Sequence, residues 1–374
     1  MKRHHNLITA ACCIIAFYFT YAAAEPDPNF HCYLLFGQSN MAGGCNHTTV
    51  AAASIDRQPE DCDTTDRIKV LAWGDCSNQA SGPCPNMTFT RKFDKWYTAF
   101  PPYHKCTEGV GPADYFGKTL LDSIREDIKI GFIPCALSGQ NIAVFEKGNK
   151  AAIDEHTQPY MGSQRLPCCA YEWMVKRCKI AQETGVIKGI LFHQGEANQN
   201  ESSWPGRVAK IVQDLRTDLN LGEKVPFLAG EVLRSGDAAS HNAQVAKIPG
   251  VVPNSYVISA EGLEMRVGDT WRLHFSCKSV REFGRRYAHA FLKAASQEFV
   301  PRKGYDAVKP PQKAVSVSSI RSWDDGARIY SLNGKVMAVI SPSNSARALN
   351  TMTPGNVYLV SRKSSGMARL MVIP

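Results

Sequence analysis

Cys32-Tyr33-Leu34-Leu35-Phe36-Gly37-Gln38-Ser39-Asn40-Met41 is the stretch on which the fold turns. Five residues led by apolar side chains end at a glycine, and a polar turn carrying a serine follows at once. A short apolar run without polar alternation reads as a strand buried on both faces. The same reading repeats downstream at residues 129–134, 187–192, 225–229 and 256–259. Helical periodicity fills the gaps. Phe116, Leu120, Leu121, Ile124 and Ile128 share one face of a helix expected over 114–128. Further helices are expected over 171–184, closed by Gly185, and over 207–219. Ser276 is a good N-cap for a last helix running to residue 295, with Val280, Phe283, Tyr287 and Phe291 as its inner stripe. Strands separated by helices predict an α/β domain whose parallel sheet is covered on both faces.

In such sheets ligands bind beyond the carboxyl ends of the strands. Three polar, glycine-bearing segments fall there: Gly37-Gln38-Ser39-Asn40-Met41, Ser138-Gly139-Gln140-Asn141 and His193-Gln194-Gly195-Glu196. A serine hydroxyl becomes a nucleophile only when a base takes its proton. A tight turn beside it can aim backbone N–H groups at a reacting carbonyl oxygen. His274, just before the last helix, is the candidate base.

The formal charge of +9 sits mostly at one end. Basic residues outnumber acidic ones by eleven to three over 301–374, and by only 32 to 31 over the rest. That distribution argues against nucleic-acid binding by the main body. The only long apolar run, residues 7–24, follows Lys2 and Arg3 and ends in Ala22-Ala23-Ala24. It is expected to be a signal peptide over 1–24, implying a secreted or surface-attached protein. Eleven of the thirteen cysteines lie beyond it, so disulfides are expected, with at least one thiol unpaired. Cys45, Cys62, Cys76, Cys84 and Cys106 crowd an aperiodic stretch over 45–112, which reads as an insertion beside the site. Their pairing cannot be deduced. No spacing suits zinc, and neither a metal nor a cofactor is expected.

The wider string from Gly37 to Met41, G-Q-S-N-M, resembles the first motif of the SGNH hydrolases. Within them it is similar to the sialate O-acetylesterase-like group that includes carbohydrate esterase family six, the acetylxylan esterases. Ser138-Gly139-Gln140-Asn141, Gln194-Gly195-Glu196 and Leu273-His274-Phe275-Ser276 resemble the later motifs, in order, across roughly 29–296. The resemblance implies a three-layer αβα sandwich over 25–300. It implies Ser39 as nucleophile, His274 as base, and an oxyanion hole from Ser39, Gly139 and the Gln194 amide. Gln38, Asn40, Gln140 and Asn141 are the expected substrate contacts. The acid departs from the pattern. Trp271 stands three before the histidine, where an aspartate is usual, and Asp269 stands five before it. Either Asp269 or Glu196 could orient the imidazole.

The resemblance implies a secreted esterase acting on an acetylated polysaccharide or oligosaccharide, acetylxylan foremost, with no metal. O-Acetyl sialic acid is the rival substrate, and a non-catalytic glycan-binding surface protein is the rival class. After a linker over 301–315, residues 316–374 are expected to form a small basic all-β module. It resembles C-terminal sorting or attachment modules, which would engage secretion machinery or the cell surface. A carbohydrate-binding module is the alternative there.

Overall fold

A computed structural model of the chain describes residues 25–46, 52–77 and 82–295, together with the backbone of four strands between 327 and 372. The opening stretch forms β1 (Phe30–Gly37), every residue of which is buried. β2 (Ile68–Leu71), β3 (Trp96–Thr98), β4 (Lys129–Pro134), β5 (Val186–His193), β6 (Phe227–Gly230) and β7 (Ser255–Ile258) join it in one seven-stranded sheet. The order is β7-β6-β5-β1-β4-β2-β3, parallel throughout except where β3 runs antiparallel to β2.

Alternate side chains of β1 point to opposite faces, as the pleat requires. Phe30, Cys32, Leu34 and Phe36 enter one hydrophobic core, packed under α2 (Ala170–Gln182) and α3 (Trp204–Asp218). Tyr33 and Leu35 enter the other, under α1 (Pro112–Leu121) and α4 (Cys277–Ala295). Helices thus cover both faces, and the expected αβα arrangement is that of the body.

The chain leaves β1 for β2 and β4 on one side, then crosses to β5 on the other. The crevice beyond the carboxyl ends of β1, β4 and β5 is therefore the topological switch point, where such sheets bind ligands. At the end of β1, Gly37 has φ +128°, and a Cβ there would lie 2.0 Å from the His193 carbonyl oxygen. Only glycine lets β1 and β5 close on each other at this edge.

Within the aperiodic stretch, β2 and β3 extend the sheet, which its composition does not foretell. Cys62–Cys84 and Cys76–Cys106 staple this insertion internally, while Cys45 pairs with Cys277 far outside it. Cys168 and Cys169 are also joined, and Cys32, Cys135 and Cys178 are buried free thiols. The segments expected to be a signal peptide, 1–24, and a linker, 301–315, lie outside the described residues. Of 316–374, only the strand backbones at Ala327–Tyr330, Val336–Ile340, Val357–Arg362 and Ala368–Val372 are described, paired antiparallel.

Candidate active site

Ser39 opens a single helical turn, Ser39–Ala42, directly after β1. The Met41 and Ala42 N–H groups both donate to the Gln38 carbonyl, holding the turn tight. Its hydroxyl lies 3.0 Å from Nε2 of His274. His274 Nδ1 lies 2.9 Å from Oδ1 of Asp269. The three side chains form one hydrogen-bonded series across two loops.

The His274 loop is built around Asp269. Its Oδ2 accepts from the backbone N–H groups of Leu273 and His274, each at 2.8 Å. Its Oδ1 also accepts from Arg266 Nη2 at 2.7 Å. The base of the loop is closed by Arg266 N–H donating to the His274 carbonyl. Burial alone would push the Asp269 carboxyl up. Hydrogen bonds from the His274 backbone and ring, and the imidazole's charge, hold it down at about 2. The carboxylate therefore stays ionised, an acceptor facing Nδ1, while Nε2 faces the Ser39 hydroxyl.

Two covalent and polar ties fix this loop against Ser39. Cys45–Cys277 joins the segment after the serine turn to the start of α4, three residues past His274. Arg266 Nη1 donates to the Gly44 carbonyl at 3.2 Å.

Glu196 does not touch His274. Its Oε1 accepts from Asn40 Nδ2 at 2.7 Å, and Asn40 in turn donates to the Leu273 carbonyl and accepts from Phe275 N–H. Asn40 brackets His274 from both chain neighbours, and Glu196 holds Asn40 in place. Of the two candidate acids, Asp269 is the one in contact with the imidazole.

The other expected contact residues have hydrogen-bond partners within the protein. Gln38 is buried and its side-chain oxygen accepts from the Gly195 and Ala197 N–H groups, clamping one catalytic loop to the other. Asn40 is likewise buried. Gln194 is 0% exposed. Its amide donates to Asn198 and accepts from the indole N–H of Trp204, both at 2.5 Å, so it is not free to meet an oxyanion. Gln140 is buried against Ser138 and Thr157, and Asn141 caps the short turn Ile142–Phe145. Gly139 differs. It is exposed, has φ +71° in a turn closed by Gln140 N–H on the Leu137 carbonyl, and faces open space.

A cleft of about 670 Å³ opens over the series. Ser39, Asp269 and His274 line it, with Lys105, Glu108 and Ser138 on the wall and Trp271 among the residues of the histidine loop. Sequence reading placed the Ser138 segment at the site but missed Lys105 and Glu108 as cleft residues, because the aperiodic insertion gives no signal of where its loops return. Glu108 accepts from the Ser138 hydroxyl at 2.7 Å. Burial pushes its carboxyl up to about 7, against opposing pulls from Ser138 and Lys105. The folded state therefore prefers the neutral acid. The stability this gives is complete below the unfolded value of about 4.3 and is lost as pH rises through about 7. Glu108→Gln is expected to flatten the fall in Tm between about pH 5 and 7. Parallel wild-type and variant curves in thermal melts across that range would refute this.

A parallel α/β sheet with a hydrogen-bonded serine, histidine and aspartate at its carboxyl edge is the arrangement of hydrolases that act through a serine. A family model described as carbohydrate esterase, sialic acid-specific acetylesterase, matches residues 29–293, and the chain belongs to that family. A probable carbohydrate esterase of Arabidopsis thaliana is 25% identical over 285 residues, covering 72% of this chain and 92% of that protein. A solved Arabidopsis thaliana structure matches with TM-score 0.53 and 23% identity, over 73% of this chain and all of that one. The crystal structure of NanS matches with TM-score 0.52 and 17% identity, over 72% of this chain and 99% of that one. These structural likenesses speak for the fold.

Proposed function

We propose that the protein is a serine esterase removing acetyl groups from carbohydrate hydroxyls, with acetylated xylan as the carrier. The observation that carries the reading is the Ser39–His274–Asp269 series facing an open cleft. Ser39 Oγ attacks the acetyl carbonyl carbon as His274 Nε2 takes its proton. The tetrahedral oxyanion is met by the N–H groups of Ser39 and Gly139. The C–O bond to the sugar then breaks, and the proton on Nε2 passes to the departing sugar oxygen. Water, deprotonated by His274, cleaves the acetyl-serine and releases acetate. Asp269 stabilises the imidazolium throughout.

The sequence supports export through residues 1–24 and attachment through 316–374, which would place the enzyme on plant polymer outside the cell. A second reading, O-acetyl sialic acid as substrate, is favoured by Lys105 on the cleft wall and by the family's description. An ammonium there suits a sugar carboxylate. Purified protein is expected to release acetate from acetylated xylan faster than from O-acetyl sialosides. The opposite order overturns the xylan reading, and no acetate from either overturns the esterase.

A further inference from the structure

Trp271 occupies the place where an aspartate is usual, and the hydrogen-bonded series leaves it unused. It is 71% exposed and lines the cleft that holds Ser39 and His274. The backbone beside it is fixed by its surroundings. Arg272 N–H donates to the Asp269 carbonyl, and Arg272 itself sits in the left-handed region at φ 51°. The Arg272 guanidinium donates to Asp237 Oδ1 at 2.8 Å, and its carbonyl accepts from Asp237 N–H. The backbone on the far side of Trp271 is thus pinned to the next loop, while the indole is left out.

A single exposed apolar side chain is ordinary. The distribution here is not. Among the described residues the exposed large apolar side chains are Ile55, Val251, Val267 and Trp271. Val267 is on the same loop as Trp271, and Ile55 follows Ser54, whose hydroxyl donates to the Val267 carbonyl. Three of the four therefore gather beside one cleft. An indole carried on a pinned backbone at such a place offers a flat apolar face to a ligand.

We propose that Trp271 is a stacking platform for a pyranose ring neighbouring the acetylated sugar, so that the substrate is an oligosaccharide or polymer. The inference rests on the esterase reading above and deepens it. A pyranose presents a face of C–H groups that matches an aromatic ring, while its hydroxyls point outward to water and polar rim groups. The two-residue lengthening between acid and base then has a use. It carries the indole out of the loop without moving Asp269 from His274.

The test uses the full chain. Trp271→Ala and Trp271→Phe are compared with wild type on acetylated xylo-oligosaccharide, on O-acetyl sialosyl-oligosaccharide and on p-nitrophenyl acetate, which has no second ring. Trp271→Ala is expected to raise KM for the better oligosaccharide by about tenfold. The preference for it over p-nitrophenyl acetate should fall by a similar factor, roughly the worth of one aromatic contact. Trp271→Phe should recover most of that loss, which a merely structural role would not predict. An unchanged preference in an active Trp271→Ala enzyme overturns the platform. Failure of wild type to hydrolyse any of the three overturns the esterase reading instead, so the two failures are distinguishable.

Discussion

Ser39→Ala is expected to lower kcat for acetate release by about 10⁶, to the background of the assay. The substitution removes one oxygen whose hydrogen-bond partner is Nε2 of His274. Alanine suits the helical turn that Ser39 opens, and the turn's own bonds run from Met41 and Ala42 to the Gln38 carbonyl. Tm should therefore change little while turnover disappears. KM-like binding of acetylated glycan, read by calorimetry, should survive, because the cleft wall is untouched. The contrast matters because the rival class, a glycan-binding protein without turnover, predicts binding in both proteins and acetate release in neither. Acetate release by Ser39→Ala within tenfold of wild type would sink the nucleophile assignment.

The fold was legible where local chemistry and tertiary demand agree. β1 is apolar from Cys32 to Phe36 because it is buried on both faces, and residues 129–134 form β4 as their composition predicts. The last helix begins after Ser276, whose hydroxyl accepts from Ser279 N–H. Legibility failed in the insertion. β2 and β3 are short, Lys69 interrupts the first, and their place in the sheet comes from pairing at long range. It failed again for polar side chains. Nothing in the sequence separates a glutamine that meets substrate from one whose amide is taken by Asn198 and Trp204, as Gln194 is. Nor does a motif reveal that Asn40 works inward, bracing the histidine loop from Glu196. The pairing of Cys45 with Cys277 is a fact of the folded chain, since the partners are 232 residues apart.

Asp269→Asn is expected to cost about 10⁴ in kcat with little change in KM, the penalty seen when a serine hydrolase loses the carboxylate behind its histidine. The argument is one of tautomers. Asp269 Oδ1 is a pure acceptor, so it keeps the proton on His274 Nδ1 at 2.9 Å and frees Nε2 to receive the proton of Ser39. An asparagine at 269 can still accept the Leu273 and His274 N–H groups through its remaining oxygen, so the loop should keep its shape. Its amide nitrogen would then face Nδ1 and donate to it, driving the proton to Nε2, where it blocks the base. Arg266 Nη2, 3.3 Å from Nδ1 in wild type, would add a second donor and reinforce the wrong tautomer. Glu196→Gln makes the necessary comparison. Glutamine retains an acceptor for Asn40 Nδ2, so the brace on the histidine loop should persist and kcat should fall by about tenfold at most. Saturating kinetics on the two purified variants decide the assignment. A collapse of turnover in Glu196→Gln beside near-wild-type Asp269→Asn would reverse the roles. The five-residue spacing between Asp269 and His274 would then be a departure that cost the aspartate its function. If Asp269→Asn alone collapses, the longer loop preserves the usual geometry by a different route. Its own backbone N–H groups wrap the carboxylate and deliver it to the ring.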